Sequence, residues 1–407
     1  MKKILLFSLG LALVLSSCSK YELDQIQTSE GDSKIAYLSL ASISRSDIPT
    51  SNYWSFAETS AESDEFTELL AILAEVATTS TRQITIELSA MDTIPEDAFY
   101  KAESALVKLY APKAVFVGET AFKYCYGLKE VDLPLVNTIE ECAFENCSAL
   151  EQVNLPKVDT LGEWAFCSCY SLKSVSMPSL KEISEGAFYD CNSLQEASFD
   201  VATRIGEYGL DYCYSLQSFS APKVEVVESQ AFYDCYALSS IDLPLATFIG
   251  EYAFGYCYSL VSANLPLVTE LESSVFYYCT ALQSLNLPKV ETLGIRAIYS
   301  CESLDELSLP EVTTVGDEAF KWCLLISLSL PKVESIGTSA FQSNDVLTFL
   351  ELGTENNEAI GFSSNTFSGI DAEDIYLTLG SANSGAVQGN VFEIDGSNVT
   401  FKSITLK

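Results

Sequence analysis

Apolar and polar positions alternate over a few residues and then change period, and this change recurs along most of the chain. In residues 235–257, CYALSSIDLPLATFIGEYAFGYC, the apolar residues Leu238, Ile241 and Leu243 stand among polar ones. Side chains of a strand point to opposite faces in turn, so this spacing predicts a short strand with the three residues inward. Pro244 ends the strand because it has no N–H for the ladder.

The second half of the same stretch has helical spacing. Ala253, Phe254 and Cys257 lie one, three and four residues apart, so they share one face of a helical turn, which we expect to face the core. Before this turn, Gly250 is expected to take a backbone conformation that would be costly for a residue with a side chain.

This coil repeats at a fixed interval. Ten cysteines, from Cys125 to Cys323, follow one another every 22 residues, and prolines keep the same interval over much of this range. A fixed period of this length is typical of stacked coils that bury their apolar edges only against their neighbours. We therefore predict an α/β-type repeat solenoid whose strands form a parallel sheet.

The ends of the array differ from its middle. Residues 53–105 are predicted to form a cap and an atypical first coil, residues 106–350 the regular coils, and residues 351–407 a degenerate last coil with a β-rich cap, since terminal coils must be covered. A helix is predicted over residues 63–77 from its apolar face. Strands are expected at residues 84–88, 375–379, 391–394 and 399–406.

One coil departs from the pattern. Asp200 takes the place of the proline, and Gly209 and Leu210 replace Ala-Phe. Because smaller side chains remove contacts from a stacked core, we expect the loosest joint at this coil.

The repeated pattern Leu-x-x-Val-x-Leu-Pro-x-Val-x-x-Ile-Gly-x-x-Ala-Phe-x-x-Cys covers about residues 94–350. It resembles the BspA-like, or Treponema-type, leucine-rich repeats of bacterial surface proteins, and the Phe-Lys-Ser-Ile at residues 401–404 is similar to lipoproteins of Bacteroides type. The resemblance implies a leucine-rich repeat solenoid with a parallel β-sheet on one face and short helical turns on the other. It also implies surface exposure and binding, with host matrix proteins or neighbouring bacteria as partner classes.

The start of the chain predicts export. Two lysines, an apolar run and small residues predict a signal peptide at residues 1–17. The sequence before Cys18 resembles a bacterial lipobox, which implies a lipid on the Cys18 sulfur and an outer-membrane surface protein that contacts the membrane only through this anchor. The alternative is an ordinary signal peptide with a chance cysteine. Residues 18–52, rich in Ser, Thr, Asp and Glu, are predicted to be a flexible tether.

Composition excludes several functions. The formal net charge of −34 repels nucleic acid and anionic membranes, so neither is an expected partner. The chain has no histidine, which excludes Ser-His-Asp and Cys-His catalysis and every metal site that needs histidine.

The regularly spaced cysteines share the inward face with alanine and phenylalanine. We therefore predict buried thiols rather than bridges between coils, and one cysteine per coil is not a metal-binding motif. Cys142 and Cys167 stand outside this series. A bridge between them is the open alternative, although their different offsets from the core phenylalanines argue against it.

Adjacent carboxylates, such as Glu140-Glu141 and Asp317-Glu318, suggest the acid and nucleophile of a glycosidase. Acidic residues recur after the turn in coil after coil, so the simpler interpretation is that they face water. We predict a protein that is not an enzyme and that uses neither metal nor cofactor.

Two surfaces are candidate binding faces. The first, which we call the strand face, is polar and weakly acidic, with candidate residues Glu130, Asp132, Gln152, Asn154, Glu196, Asp242, Asn264, Asn286 and Glu306. The second, the tyrosine face, flanks the helical turn, with candidate residues Tyr212, Tyr214, Tyr233, Tyr236, Tyr256, Tyr258, Tyr277 and Tyr278. The simpler interpretations are a solvated sheet and rings that only stack between coils. Tyrosine nevertheless combines apolar area with a polar tip, which suits protein or sugar contacts.

These features together predict a cell-surface binding or adhesion module. We expect a protein partner from the host matrix or a bacterial surface. The alternative is a glycan-capturing component of a nutrient uptake system.

Overall fold

The computed structural model describes residues 3–8, 11–13, 34–35, 37–39, 53–56, 64–79, 83–100, 102–354, 359–363, 365–394 and 397–407. The chain divides into two compact units, Met1–Asp200 and Val201–Lys407. The division falls in the coil that lacks the proline.

The first unit combines an α-helix, Asp64–Thr79, with the strands of the early coils. Longer strands, one per coil, form the strand face, and two-residue strands form a second row after the proline corner. The strands that form the strand face of this unit, together with those that precede it in the chain, are Lys3–Ser8, Leu11–Leu13, Lys34–Ile35, Tyr37–Ser39, Tyr53–Phe56, Ile84–Leu88, Leu106–Tyr110, Glu130–Asp132, Gln152–Asn154, Ser174–Ser176 and Glu196–Ser198. The second row is Thr93–Ile94, Phe116–Val117, Thr138–Ile139, Thr160–Leu161 and Glu182–Ile183.

The second unit repeats both rows and adds a closing β structure. Its strand face is formed by Ser218–Ser220, Ser240–Asp242, Ser262–Asn264, Ser284–Asn286, Glu306–Ser308, Ser327–Leu330, Phe349–Leu352, Tyr376–Leu379 and Ser403–Leu406. Its second row is Arg204–Ile205, Val226–Val227, Phe248–Ile249, Glu270–Leu271, Thr292–Leu293, Thr314–Val315, Ser335–Ile336 and Gly361–Phe362. The closing segment holds the 3-10 helices Ala372–Asp374 and Ser381–Ala386 and the antiparallel strands Val387–Gln388, Val391–Ile394 and Ser397–Thr400.

Strands of successive coils pair in parallel, and each strand residue lies opposite the equivalent residue of the next coil. In the first unit Val131 lies opposite Val153, and in the second unit Ala263 lies between Ile241 and Leu285. A constant register places equivalent residues of neighbouring coils side by side. The predicted parallel-sheet repeat solenoid is confirmed.

The predicted helical turn is a run of tight turns rather than an α-helical turn. The Ala253 amide donates to the Gly250 carbonyl at 3.1 Å, and the Cys257 amide to the Phe254 carbonyl at 3.3 Å. These bonds reach back three residues, whereas an α-helix reaches back four. Ala253, Phe254 and Cys257 are nevertheless fully buried, as predicted.

Left-handed residues join these turns to the next coil. Tyr252 and Tyr256 have φ angles of 53° and 58°. Their amides therefore point along the stack and donate to the Ser273 carbonyl at 3.1 Å and the Tyr277 carbonyl at 2.7 Å. A left-handed residue with a side chain costs roughly 1–2 kcal/mol, and the bond to the next coil offsets this cost.

The reason predicted for Gly250 is wrong. Gly250 is outside the left-handed region, so backbone conformation does not require it. A Cβ at this position would lie 2.5 Å from the Ser229 nitrogen and 2.7 Å from the Glu228 carbonyl carbon. The glycine allows the backbone of the preceding coil to approach closely.

Phenylalanine rings stack through the core. Phe254 is fully buried and lies 5.4 Å from Phe232 and 5.5 Å from Phe276 between ring centroids. The stacked rings of the first unit are Phe99, Phe122, Phe144, Phe166 and Phe188. At the end of that stack Phe199, which directly follows the strand Glu196–Ser198, packs on Phe188 at 5.8 Å.

The cysteine series forms hydrogen bonds between coils. Each of the ten side chains is fully buried, which confirms the predicted inward position. The Cys257 Sγ donates to the Phe232 carbonyl at 3.3 Å, and the Cys279 Sγ donates to the Phe254 carbonyl at 3.1 Å. A small side chain with a weak donor therefore adds a second hydrogen bond, from the next coil, to a main-chain carbonyl that already accepts an amide of its own turn.

Asn344 shows that this position of the repeat requires a hydrogen-bond donor rather than a sulfur atom. It follows Cys323 in the series and is 1% exposed. Its Nδ2 donates to the Phe320 carbonyl at 2.7 Å, as a cysteine would, and its Oδ1 accepts from the Leu325 amide at 3.2 Å. A different donor has thus replaced the thiol where the coil is one residue shorter.

We expect the native protein to resist thiol reagents. Burial raises the pKa of Cys257 well above its usual value, and burial, followed by the Glu145 carboxylate, raises the pKa of the half-buried Cys142 to about 12. Little thiolate, the reactive form, is therefore present at pH 8. Maleimide labelling followed by mass spectrometry should find the ten buried cysteines unmodified in the native protein and modified in non-reducing denaturant. Bridged coils would instead leave them unmodified in both conditions.

Several elements near the two ends of the chain match the predicted helix and strands. The helix packs on the first coil, where Phe66 meets Phe99 edge-on at 6.1 Å, and the strands Ile84–Leu88 and Val391–Ile394 have the predicted bounds. The single strand predicted over residues 399–406 is wrong. Phe401, 1% exposed, turns into the core and separates two strands that pair with different sheets.

Candidate binding surfaces

The strand face of the first unit carries a ladder of polar side chains. Asn154 Nδ2 donates to Asp132 Oδ1 in the preceding coil at 2.7 Å. Glu130 accepts hydrogen bonds from Lys108 and, at 3.1 Å, from the Tyr110 hydroxyl, and the bond from Lys108 lowers its pKa. These polar groups are therefore partly occupied by their neighbours, while Gln152 and Glu196 are exposed.

The strand face of the second unit continues this arrangement. Asn264 Nδ2 donates to Asp242 Oδ1, and Asn286 Nδ2 donates to Asn264 Oδ1, each at 2.7 Å. Asp242, Asn286 and Glu306 are exposed. The predicted residues thus stand side by side, but the ladder satisfies many of their donors and acceptors.

Sequence reasoning missed an aromatic pair on this face. Phe349 and Tyr376, 52% and 40% exposed, stack at 5.4 Å, and the Lys402 Nζ lies 4.8 Å from the Tyr376 centroid. Phe349 occupies the repeat position of Ser327, so the repeat alignment could have found it. Tyr376 lies in the cap, where no repeat register predicts its position.

The tyrosine face forms one connected network in the second unit. Its outer row consists of the residues directly after the series cysteines, in which Tyr236 lies 4.8 Å from Tyr214 and 5.1 Å from Tyr258. Its inner row consists of the residues directly before those cysteines, in which Tyr256 stacks on Tyr278 at 5.5 Å. The remaining predicted members join these rows through the pairs Tyr212–Tyr214, Tyr233–Tyr256 and Tyr277–Tyr278.

The network is both packed and accessible. Tyr236 and Tyr258 are 38% and 40% exposed, and the other six predicted tyrosines are half-buried. Burial, followed by the Asp234 carboxylate, raises the pKa of Tyr236 to about 12. The Tyr236 hydroxyl is therefore neutral at physiological pH and can donate a hydrogen bond.

The network extends beyond the predicted residues. Tyr299 contacts Tyr277 at 4.8 Å and Trp322 at 5.3 Å, and Trp322 is 40% exposed. Trp322 precedes a series cysteine just as Tyr278 does, so the same column of the repeat could have identified it. The first unit has smaller groups, such as Tyr124 with Tyr126 at 5.9 Å.

Both carboxylates of the pair Asp317-Glu318 are bonded to neighbouring groups. Glu318 accepts from Arg296 Nε at 2.5 Å and from Lys321 Nζ at 2.6 Å, and the bond from Lys321, ahead of the one from Arg296, lowers its pKa. A carboxyl that stays ionised is a poor general acid. Asp317 Oδ1 accepts from the Thr338 amide at 2.6 Å, and Glu141 is exposed.

Within the described ranges, no cluster of cysteine, aspartate and glutamate side chains is arranged to hold a metal ion. Nor does this part of the chain contain a helix with the length and apolar character needed to cross a membrane. Cys18, the predicted lipid attachment site, lies outside the described residues.

Parallel strands, a proline corner in most of the regular coils and a stacked apolar core define a leucine-rich repeat solenoid. A family model described as "BspA type Leucine rich repeat region" matches residues 33–129, 115–238, 203–324 and 313–395. The chain therefore belongs to the BspA-type leucine-rich repeat family, as the sequence pattern predicted. Solenoids of this kind are generally non-catalytic binding modules, and family members are typically cell-surface proteins.

Solved structures of bacterial proteins are similar to this chain. A leucine-rich repeat protein from Bacteroides ovatus is 22% identical, with a TM-score of 0.52, over 89% of this chain and 98% of that one. A leucine-rich cell surface protein from Faecalibacterium prausnitzii is 23% identical, with a TM-score of 0.34, over 63% of this chain and 85% of that one. The first similarity supports the fold. No curated protein matches the sequence.

Proposed function

We propose that the chain is a lipid-anchored surface protein that binds another protein through the tyrosine face of its second unit. The connected tyrosine network carries this proposal. Its rings are held by their neighbours, so a partner can contact Tyr236 and Tyr258 without freezing mobile side chains. Tyrosine and tryptophan dominate the contacts that contribute most to protein interfaces.

The strand face supports binding less well. Its amide and carboxylate groups already bond along the ladder, as between Asp242 and Asn264, and a partner would have to replace those bonds. We therefore assign the strand face a solubilising role and the tyrosine face the contact with the partner.

The proposed anchor follows from the lipobox resemblance. Residues 1–17 would be removed, Cys18 would carry the lipid, and residues 18–52 would separate the solenoid from the membrane. Replacing Cys18 with alanine should move the protein from the membrane fraction to the soluble fraction. Anti-serum detection after ultracentrifugation would measure this, and membrane fractionation of the variant equal to wild type would contradict the anchor.

Protein and glycan arrays probed with the full chain would test the binding function. We expect saturable binding to protein spots. Binding confined to glycan spots would favour the glycan-capturing role, and binding to neither array would contradict the proposed function.

A further inference from the structure

Two aromatic rings interrupt the polar surface near the last strand of the strand face in the second unit. One outward row of this face, taken from five successive strands, consists of Glu306, Ser327, Phe349, Tyr376 and Ser403. The two rings are 52% and 40% exposed, and their neighbours in the row are small or charged. Contiguous apolar area with a polar rim is typical of a binding site.

One face of the Phe349 ring is open. Tyr376 stacks on Phe349 with 5.4 Å between centroids and an interplanar angle of 16°, and it is the only ring of the described residues that packs on Phe349. Lys402, which precedes the strand on the far side of Tyr376, lies 4.8 Å from the Tyr376 centroid. Because Tyr376 covers one face of Phe349, the exposed area of this ring lies on its edge and on the face toward Ser327.

The position above Ser327 has room for one more six-membered ring. Ser327 is partly exposed, and its short side chain leaves the space above its strand to solvent. Neighbouring strands lie about 4.8 Å apart, and the 5.4 Å between Phe349 and Tyr376 shows that two rings on adjacent strands stack here. A ring above Ser327 would therefore continue this stack in the place of the bulky side chain that serine lacks.

Polar groups of both charges flank this position. Glu306, on the other side of Ser327 from Phe349, is exposed and can accept hydrogen bonds. In the next outward row, Glu351 accepts from the Ser329 hydroxyl and from the Lys407 Nζ, each at 2.7 Å. Lys402 and Lys407 thus offset the carboxylates Glu306 and Glu351, although the whole chain has a net charge of −34. Such surroundings suit a neutral ligand that is rich in hydroxyl groups.

We propose that one sugar ring of a neutral, β-linked glycan binds above Ser327, stacked on the open face of Phe349 and hydrogen-bonded to Glu306. A pyranose whose hydroxyls are all equatorial has only C–H groups on its two faces, and these groups are attracted to the negative face of an aromatic ring. Its hydroxyls point outward from the ring edge, where the flexible Glu306 side chain can accept from them.

An apolar side chain of a protein fits this position less well, because it would leave the Glu306 carboxylate next to a group that cannot donate a hydrogen bond. The site belongs to the strand face and shares no residue with the tyrosine face. It therefore adds a glycan site to the proposed protein-binding function and does not rest on it.

Saturation-transfer difference NMR of the full chain with cellohexaose and xylohexaose, whose ring hydroxyls are all equatorial, would test the site. Irradiation of the aromatic protons should transfer saturation mainly to the axial protons on one face of a sugar ring. Phe349→Ala should weaken binding at least tenfold. The matched control Phe248→Ala, which removes a 40% exposed ring from the second row of the same unit, should change it less than twofold. Transfer to neither oligosaccharide, or equal affinity in Phe349→Ala, would overturn the proposal.

Two variants complete the test. Ser327→Tyr fills the position above the strand with a ring and should abolish saturation transfer, although Phe349 is still present. Glu306→Gln should weaken binding at least fivefold, while Glu196→Gln, at an exposed position on the strand face of the first unit, should change it less than twofold. Unchanged sugar binding in Ser327→Tyr would overturn the proposal. If Phe349→Ala lowers binding to protein spots on the arrays but not to the oligosaccharides, the rings contact a protein and this inference fails. Saturable binding of the full chain to protein spots without any sugar binding would leave the proposed function standing and overturn this inference alone.

Discussion

Replacing Phe254 with alanine is expected to destabilise the second unit by about 3–5 kcal/mol, the usual cost of emptying a buried aromatic site. Phe254 is fully buried and stacks on a ring of the coil on each side. The substitution therefore removes two aromatic contacts and leaves a cavity between three coils. Because each coil touches only its neighbours, we expect local opening at this coil rather than loss of the whole array.

Limited proteolysis combined with urea denaturation would measure this effect. The variant should be cut near residues 250–258, with protected fragments on both sides. The matched control is Ser240→Ala with Asp242→Ala, two exposed positions that should change stability by less than about 0.5 kcal/mol each. A fold that tolerated Phe254→Ala and lost stability with the surface pair would contradict the assignment of inward and outward faces.

Replacing Tyr236 and Tyr258 with alanine together is expected to weaken partner binding by about 2–4 kcal/mol, or roughly 30- to 1,000-fold. These rings are the most accessible members of the predicted tyrosine face, and each is supported by a neighbouring ring. Because both rings are partly exposed, their removal should lower the stability of the fold less than Phe254→Ala does.

Isothermal titration with the protein partner would measure the loss of affinity, and thermal unfolding would confirm that the variant is folded. Tyr126→Ala with Tyr170→Ala is a matched control, because these first-unit tyrosines are 47% and 40% exposed. The control should bind within about twofold of wild type. Full affinity in Tyr236→Ala/Tyr258→Ala, together with a loss in the strand-face pair Ser240→Ala/Asp242→Ala, would place the site on the other face.

The repeat made most of the fold predictable. Since residues 22 apart are neighbours in the stack, the sequence spacing alone places Cys257 beside Cys279 and Phe254 beside Phe276. It also places the predicted strand-face residues, such as Asp242 and Asn264, side by side. The alternation of side chains along each strand predicted which residues point inward and which point outward. The buried Ile241 and the exposed Asp242 are an example.

The features that could not be predicted from the sequence depend on contacts between neighbouring coils. The requirement for Gly250 comes from the Ser229 backbone, and the tight turns depend on amides that bond the next coil. The regular spacing of the cysteines within the chain indicated small buried side chains, but their hydrogen bonds to main-chain carbonyls are visible only in three dimensions.

Site-specific photocrosslinking would test most directly whether the tyrosine face contacts the partner. Benzoylphenylalanine would be placed at Tyr258 on the tyrosine face and, in a separate sample, at Ser284, an exposed position on the strand face of the second unit. After irradiation with the protein partner, we expect a covalent adduct from position 258 and none from position 284. An adduct from position 284 alone would show that the strand face binds the partner and would contradict the account.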